Sequence, residues 1–427
     1  MSTVLDTRSF LRWCWRQLTS MRTALILLLL LAVAAIPGSL FPQRSQNPIQ
    51  VKQFFAENPE TAIWLDRLSL FNVFSSPWFS AIYLLLFISL IGCVLPRSIE
   101  HLKAIGAKPP LTPKYLDRME FYTEIKKIDL DRVEKFLRKK HFRIRRDENS
   151  ISAEKGYARE TGNLLFHLSL VLILLAVGIG SLLGSRGDAI VNVGDRFINT
   201  PTSYDILSFG KYQAEDSLPP FSLTVTDFKA EYDPVTNAAI DYELTVLTAN
   251  PAGSKEIKKI IKVNQPLAYG STKIYLQANG YSPIVIVRDK SGKIIFDGPT
   301  PFLPQDANLS SIGAIKIPDM DPQIGFVGSF LPTADRDPIR GGFSSYPEVL
   351  DPRLLVSIWK GDLGLNTGIP QSVYRIDTSK MERIGLKALV LNESYDFGEG
   401  SITFTGWKSW VNLQIVNDPG KGFALVG

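Results

Sequence analysis

Hydrophobic and polar positions divide this chain into two regimes. Up to about residue 184 the apolar residues come in three long uncharged runs: 23–41 (TALILLLLLAVAAIPGSLF), 78–95 (WFSAIYLLLFISLIGCVL) and 164–184. Runs of about 18–21 residues, rising about 1.5 Å per residue, cross a hydrocarbon core about 30 Å thick. The pattern predicts transmembrane helices over about 23–41, 78–95 and 163–184. From Ser185 to about Gly420 it changes to short alternating runs such as FSLTVTDFKAEY (221–232), IDYELTVLTA (240–249), TKIYLQA (272–278), PIVIVRD (283–289) and GSITFTGWKSWVNLQIV (400–416). Period-two alternation with β-branched and aromatic residues predicts antiparallel strands in a sandwich or barrel. The fold class is therefore an integral membrane α-helical anchor of three spans joined to a large, mostly-β extracytoplasmic domain.

Charge orients the spans. Residues 1–22 carry Arg8, Arg12, Arg16 and Arg22, and 97–162 is rich in Lys and Arg, whereas 42–77 has three basic and three acidic residues. The positive-inside rule puts the N-terminus and 97–162 in the cytoplasm, or the stroma of a plastid, and everything after Ser185 on the other side. The first run, with basic residues before it and AVAAIPGS inside it, also has the make-up of a cleaved signal peptide, but two further spans favour a retained multi-pass anchor. Pro77 and Trp78 fit a helix N1 proline and an interfacial anchor.

Within 97–162 the stretch FYTEIKKIDLDRVEKFLRKKHFRIRRDENSISAEKG predicts a strand–helix–strand–strand unit. Asp129 or Asp131 caps the helix, and Val133, Phe136 and Leu137 share one face. Its cluster of Arg138, Lys139, Lys140, Arg143, Arg145 and Arg146 reads as a solvated face beside anionic headgroups rather than a nucleic-acid surface. The Pro- and Gly-rich stretch from about 297 to 350 interrupts the strand spacing and is expected to be a long insertion across the domain surface. The final DPGKGFALVG turns apolar, so residues 421–427 read as the start of a fourth helix.

Composition narrows the chemistry. Mean hydropathy is only +0.05, so the apolar excess is confined to the three runs. The only cysteines are Cys14 and Cys93, so the region after 185 has neither a disulfide framework nor a thiol with which to do redox chemistry on a partner's cysteines. There is no Walker, GxGxxG or GxSxG motif and no zinc-ligand spacing. No histidine follows residue 167, which argues against hydrolase or kinase chemistry in the β domain.

The three histidines differ in place. His101, just past the second run, and His141, at the end of the basic helix, read as surface residues. His167 lies inside the third run, where an ionisable side chain is costly and functional by default. Stepping by three or four gives Val171, Leu174, Gly178 and Ser181 on its face, a stripe whose small residues admit another helix or a flat ligand. The residues alone leave three readings open: a structural hydrogen bond between helices, a proton relay, or an axial ligand to haem iron. The relay is disfavoured because the three runs contain no acid.

In order and side of the membrane, several segments resemble the ResB/CcsB family of the system II cytochrome c maturation machinery, in its cyanobacterial and plastid branch. They are SMRTALILLLLLAVAAIPGSLFPQ, LIGCVLPR and GNLLFHLSLVLILLAVGIGSLLG, followed by FSLTVTDFKAEYDP, VNQPLAYGSTKIYLQANGYSP and LQIVNDPGKGFALVG. The resemblance implies a multi-pass protein of a thylakoid membrane with its large domain lumenal. It implies action with a CcsA-type partner that carries haem across for thioether attachment to CXXCH in apocytochromes c, such as cytochrome f and a soluble c-type cytochrome. His167 occupies the position of the family's haem-associated histidine, which implies an axial ligand to a transient haem b shared with the partner. The cysteine-free β domain leaves thiol reduction to a thioredoxin-like protein, and the chain is not expected to be an enzyme on its own. Trp407 and Trp410 do not reproduce the partner's tryptophan-rich motif. VNQPLAYG and Asp418-Pro419-Gly420 are family-like positions that also read as a turn and a strand edge. A membrane assembly scaffold or receptor that does not bind haem is the alternative reading. The expected organisation is 1–96 (tail and two spans), 97–162 (small basic unit), 163–184 (third span), 185–420 (β-rich domain) and 421–427.

Overall fold

A computed structural model describes residues 6–44, 48–125, 128–337, 341–365 and 373–427. The chain divides into two compact units, residues 1–177 with 422–427, and residues 178–421.

The first unit is helical. α1 (Thr7–Leu18) precedes α2 (Met21–Leu40), and the short α3 (Pro48–Glu57) and α4 (Pro59–Arg67) lead into α5 (Pro77–Gly106). α6 (Leu130–Lys139) and α7 (Thr161–Leu183) follow, and α8 (Lys421–Val426) lies near the chain's end. α2, α5 and α7 are the three helices long and apolar enough to cross a membrane among the described residues. Ser20 and Ser76 start α2 and α5 as N-caps, their hydroxyls accepting from the Thr23 and Phe79 amides, and Pro77 occupies the first turn of α5 as expected. α5 runs eleven residues beyond its expected end at 95, through Pro96 to Gly106. Charge marks where a helix leaves hydrocarbon, not where it stops.

Two features of this unit had no counterpart in the sequence reading. In α1, Arg8, Arg12 and Arg16 recur at helical spacing, while Phe10, Trp13 and Trp15 stand about half exposed, the pattern of an interfacial helix. Between α2 and α5, Val51, Ala62 and Phe71 form a small buried core edged by Phe41, Phe54 and Phe55.

The basic unit holds α6 and a hairpin of strands Arg143–Asp147 and Ser150–Glu154. Asp129 caps α6 by accepting from the Asp131 amide. The strand expected before α6 is not formed among the described residues 119–125 and 128–129, and residues 126–127 fall outside them. Phe121 and Ile125 have no partner strand on which to bury and are largely exposed. Much of the basic cluster is paired with acids. Arg143 binds Glu154, lies over the Tyr157 ring and donates to the Ile105 and Ala104 carbonyls, while Arg138 and Arg146 pair with Glu134 and Asp131. His141 is exposed, as expected.

The second unit is β-rich, organised around two 18-residue strands, Thr272–Asp289 and Gly400–Asn417, paired antiparallel over nearly their full length. One end of this pair (Val285, Val287, Ile402, Phe404) packs into a core with Phe302, Ile315, Phe326, Phe330 and Ile358 of a five-stranded sheet. The other end (Ile274, Val411, Leu413, Ile415) packs into a second core with Phe221, Leu223, Leu244 and Ile261 of a four-stranded sheet. At the waist between them Trp410 is 2% exposed, and its indole N–H reaches the Tyr281 and Phe302 carbonyls, both at 3.1 Å. Gly280 lies opposite, where a Cβ would come within 2.5 Å of that indole ring. The expected β body is thus two sandwiches sharing one sheet.

The stretch 297–350 is not an insertion over the surface. It supplies strands Ser311–Ile317 and Ile324–Leu331, and Phe302, Phe326 and Phe330 are fully buried in the first core. Several of its glycines serve close approach within strands, with Gly313 against the Phe302 ring and Gly328 against the Leu355 carbonyl. Residues 338–340, in its expected RDPIRGG loop, lie outside the described residues. VNQPLAYG forms a turn and the short strand Leu267–Tyr269, whose Tyr269 ring stacks on Phe221 at 5.1 Å. Asp418 makes a local turn by accepting from the Gly420 amide. Near one sheet end Glu399 is bridged by Lys290 (2.6 Å) and Lys360 (2.5 Å), which pull its carboxyl down to about 2.

Candidate functional site

Within the first unit, α2, α5 and α7 line a half-open cavity of about 370 Å³. α2 contributes Met21, Ala24, Leu25 and Leu28, a single face at spacing i, i+3, i+4, i+7. α5 contributes the stripe Leu86, Ser89, Leu90, Cys93, Val94 and Arg97, and α7 contributes Asn163, Leu164, His167 and Leu170. Most of the wall is hydrocarbon. The polar groups gather toward one end, because Asn163 precedes His167 by one turn and Arg97 follows Cys93 by one turn.

His167 is the distinctive group. Its Nδ1 is buried and has no hydrogen-bond partner, and its ring meets Phe166 edge to face at 5.3 Å. A buried imidazole nitrogen left unpaired costs roughly 1–3 kcal/mol, so native structures tend to retain one where something else occupies it. Among the described residues no carbonyl or hydroxyl of another helix takes it.

Three polar groups at or beside the cavity are engaged. Ser89 donates to the Leu18 carbonyl at 2.6 Å. Arg97 pairs with Glu160 at 3.1 Å. His101, one turn beyond Arg97, meets the Thr161 hydroxyl at 2.9 Å and is half-buried rather than a free surface residue. These last two contacts fasten the end of α5 to the first turn of α7 and so set the register that turns His167 toward the cavity. Sequence reasoning placed His167 but missed Cys93, Arg97 and Asn163. The available signal was spacing: each lies four residues from another lining residue across the edge of a hydrophobic run.

Three apolar spanning helices with an unpaired imidazole among them, joined to a large β unit, define an integral membrane protein whose spans form a ligand-sized site. Residues 21–427 match the model of the ResB-like family, and the chain belongs to that family. Among curated relatives it is similar to the cytochrome c biogenesis protein CcsB of Thermosynechococcus vestitus, 26% identical over 382 residues, covering 87% of this chain and 80% of that one. It is likewise similar to CcsB of Synechococcus sp. strain CC9311, 26% identical over 295 residues (66% of this chain, 64% of that protein). CcsB of Gloeobacter violaceus is 28% identical over 271 residues (60% and 54%). In the last two the match spans less than two thirds of the relative's length.

Proposed function

We propose that this chain serves c-type cytochrome biogenesis by receiving haem in the cavity between α2, α5 and α7, with His167 as an axial ligand, and by positioning it for attachment to apocytochrome CXXCH. The observation that carries the reading is the buried, unpaired Nδ1 of His167. A neutral imidazole is a usual haem ligand. The cavity lies within the range of about 300–1,000 Å³ typical of small-molecule sites, and its aliphatic wall suits a flat apolar macrocycle. The names of the CcsB relatives support the process.

Haem here is cargo, a transient haem b. One intramembrane histidine supplies one axial position, so a CcsA-type partner supplies the other imidazole and shares the site. The arginines of α1 and the basic α6 unit support a cytoplasmic N-terminus with the β unit in the lumen of a thylakoid. There the β unit meets apocytochromes whose thiols a thioredoxin-like reductant keeps reduced. The chain alone completes no reaction. Its contribution is to hold haem and acceptor together, the kind of placement that lowers the barrier to a bimolecular step.

The test is co-purification with the CcsA-type partner and an absorption spectrum of wild type against His167→Ala. The expected result is loss of the haem band in the variant at equal protein yield, with partial return on adding imidazole. A scaffold that never touches haem leaves the spectrum unchanged, and that outcome removes His167 from the mechanism.

A further inference from the structure

The β unit holds a second cavity, of about 510 Å³, whose chemistry is opposite to that of the first. One wall is the end of strand Ser222–Tyr232, from Phe228 onward, with Asp241 and Glu243 of the neighbouring strand. Tyr281, Glu348 and Ser409 complete the lining.

Three observations converge on its occupant. First, the charge is unbalanced. Asp241 and Glu243 share Lys262, at 2.7 and 3.2 Å, and Lys229 lies nearest Asp227. Glu231 and Glu348 have no ion-pair partner among the described residues. Second, Tyr232 is 7% exposed, and its hydroxyl makes no full-strength hydrogen bond, only weaker side-chain contacts with Asn279 and Tyr242. Third, the strand edge at the cavity is open. Strand Arg196–Ile198 pairs only with Ser222, Leu223 and Thr224, and the backbone of Asp195 and Gly194 with Val225. From Asp227 to Tyr232 the only neighbouring strand among the described residues is Ala239–Ala249.

We propose that this cavity is a docking pocket for a lysine or arginine side chain of a partner polypeptide, whose extended backbone adds to the free edge at Asp227–Tyr232. Glu231 and Glu348 supply the counter-charge, Tyr232 accepts a hydrogen bond from the cation, and the aromatic walls of Phe228 and Tyr281 favour a cationic group. An open edge with a specificity pocket beside it is the arrangement by which sheets bind extended peptides. The site needs neither haem nor His167, so it stands or falls apart from the function proposed above.

The test uses the full chain in detergent and two fluorescein-labelled pools of ten-residue peptides, degenerate except for a central lysine in one and a central norleucine in the other, with binding followed by anisotropy. The lysine pool is expected to bind at least tenfold more tightly. The double variant Glu231→Gln/Glu348→Gln should abolish that difference, and Tyr232→Phe, which keeps the ring, should reduce it about threefold. Asp319→Asn, an exposed acid away from the cavity, should leave it intact. Thermal unfolding of each variant checks that the β unit is folded. Equal binding of the two pools to wild type overturns the proposal, as does a lysine preference that survives in the double variant or is lost equally in Asp319→Asn.

Discussion

In α2, Leu25, Ile26, Leu28 and Leu29 are each more than half exposed, while in strand Gly400–Asn417, Ile402, Phe404, Val411 and Leu413 are fully buried. The same residue types are displayed in one unit and hidden in the other because the first has hydrocarbon for a solvent and the second has water. The contrast extends to buried ring nitrogens. Trp410 in the β unit reaches two carbonyls, whereas His167 in the helical unit reaches nothing. The two nitrogens therefore make opposite demands on their surroundings, and substitution can tell them apart.

The largest expected effect breaks the waist of the β unit. Trp410→Ala removes a buried indole between two cores and should cost about 3–5 kcal/mol, read as a lower unfolding midpoint in near-ultraviolet circular dichroism. Gly328→Ala comes next, since the new Cβ would stand 2.1 Å from the Leu355 carbonyl oxygen. Overpacking of this kind costs about 1–3 kcal/mol, whereas Gly178→Ala on α7, where a Cβ meets nothing within 4 Å, should leave yield and melting unchanged.

Substitutions by phenylalanine sharpen the comparison of the two nitrogens. Trp410→Phe leaves two carbonyls unpaired and should cost about 1–3 kcal/mol. His167→Phe breaks no bond through Nδ1, so it should melt like wild type while failing to hold haem. Equal destabilisation by both would mean that His167 is paired after all.

The smallest effect is electrostatic. The Glu399 carboxyl is held at about 2, against an ordinary value of 4.5. Its contribution is therefore complete above pH 4.5 and disappears as pH falls from 4.5 toward 2. Glu399→Gln should flatten the acid side of the β unit's stability profile in that window and leave the neutral plateau slightly lowered.

The spans and their order could be read directly from the sequence, because a run of leucines long enough to cross a bilayer has few other uses. Strands such as 272–289 and 400–417 were legible as pieces, but not as single elements crossing both cores, since Gly280 and Pro283 look like breaks until Trp410 and the pairing partner are seen. For the same reason 297–350 read as surface: glycine signals a loop in sequence, and at Gly313 and Gly328 it signals proximity. His167 stood out as polar in an apolar run. Its unpaired state, and the neighbours Cys93, Arg97 and Asn163, depend on how α5 packs on α7, which periodicity does not encode.

The two long strands have a consequence for how this protein can change. Each belongs to both cores, so neither sandwich can be excised, exchanged or duplicated as a cassette without cutting through the hydrophobic interior of the other. Change is therefore easiest at the rims of the β unit, where neither core is cut.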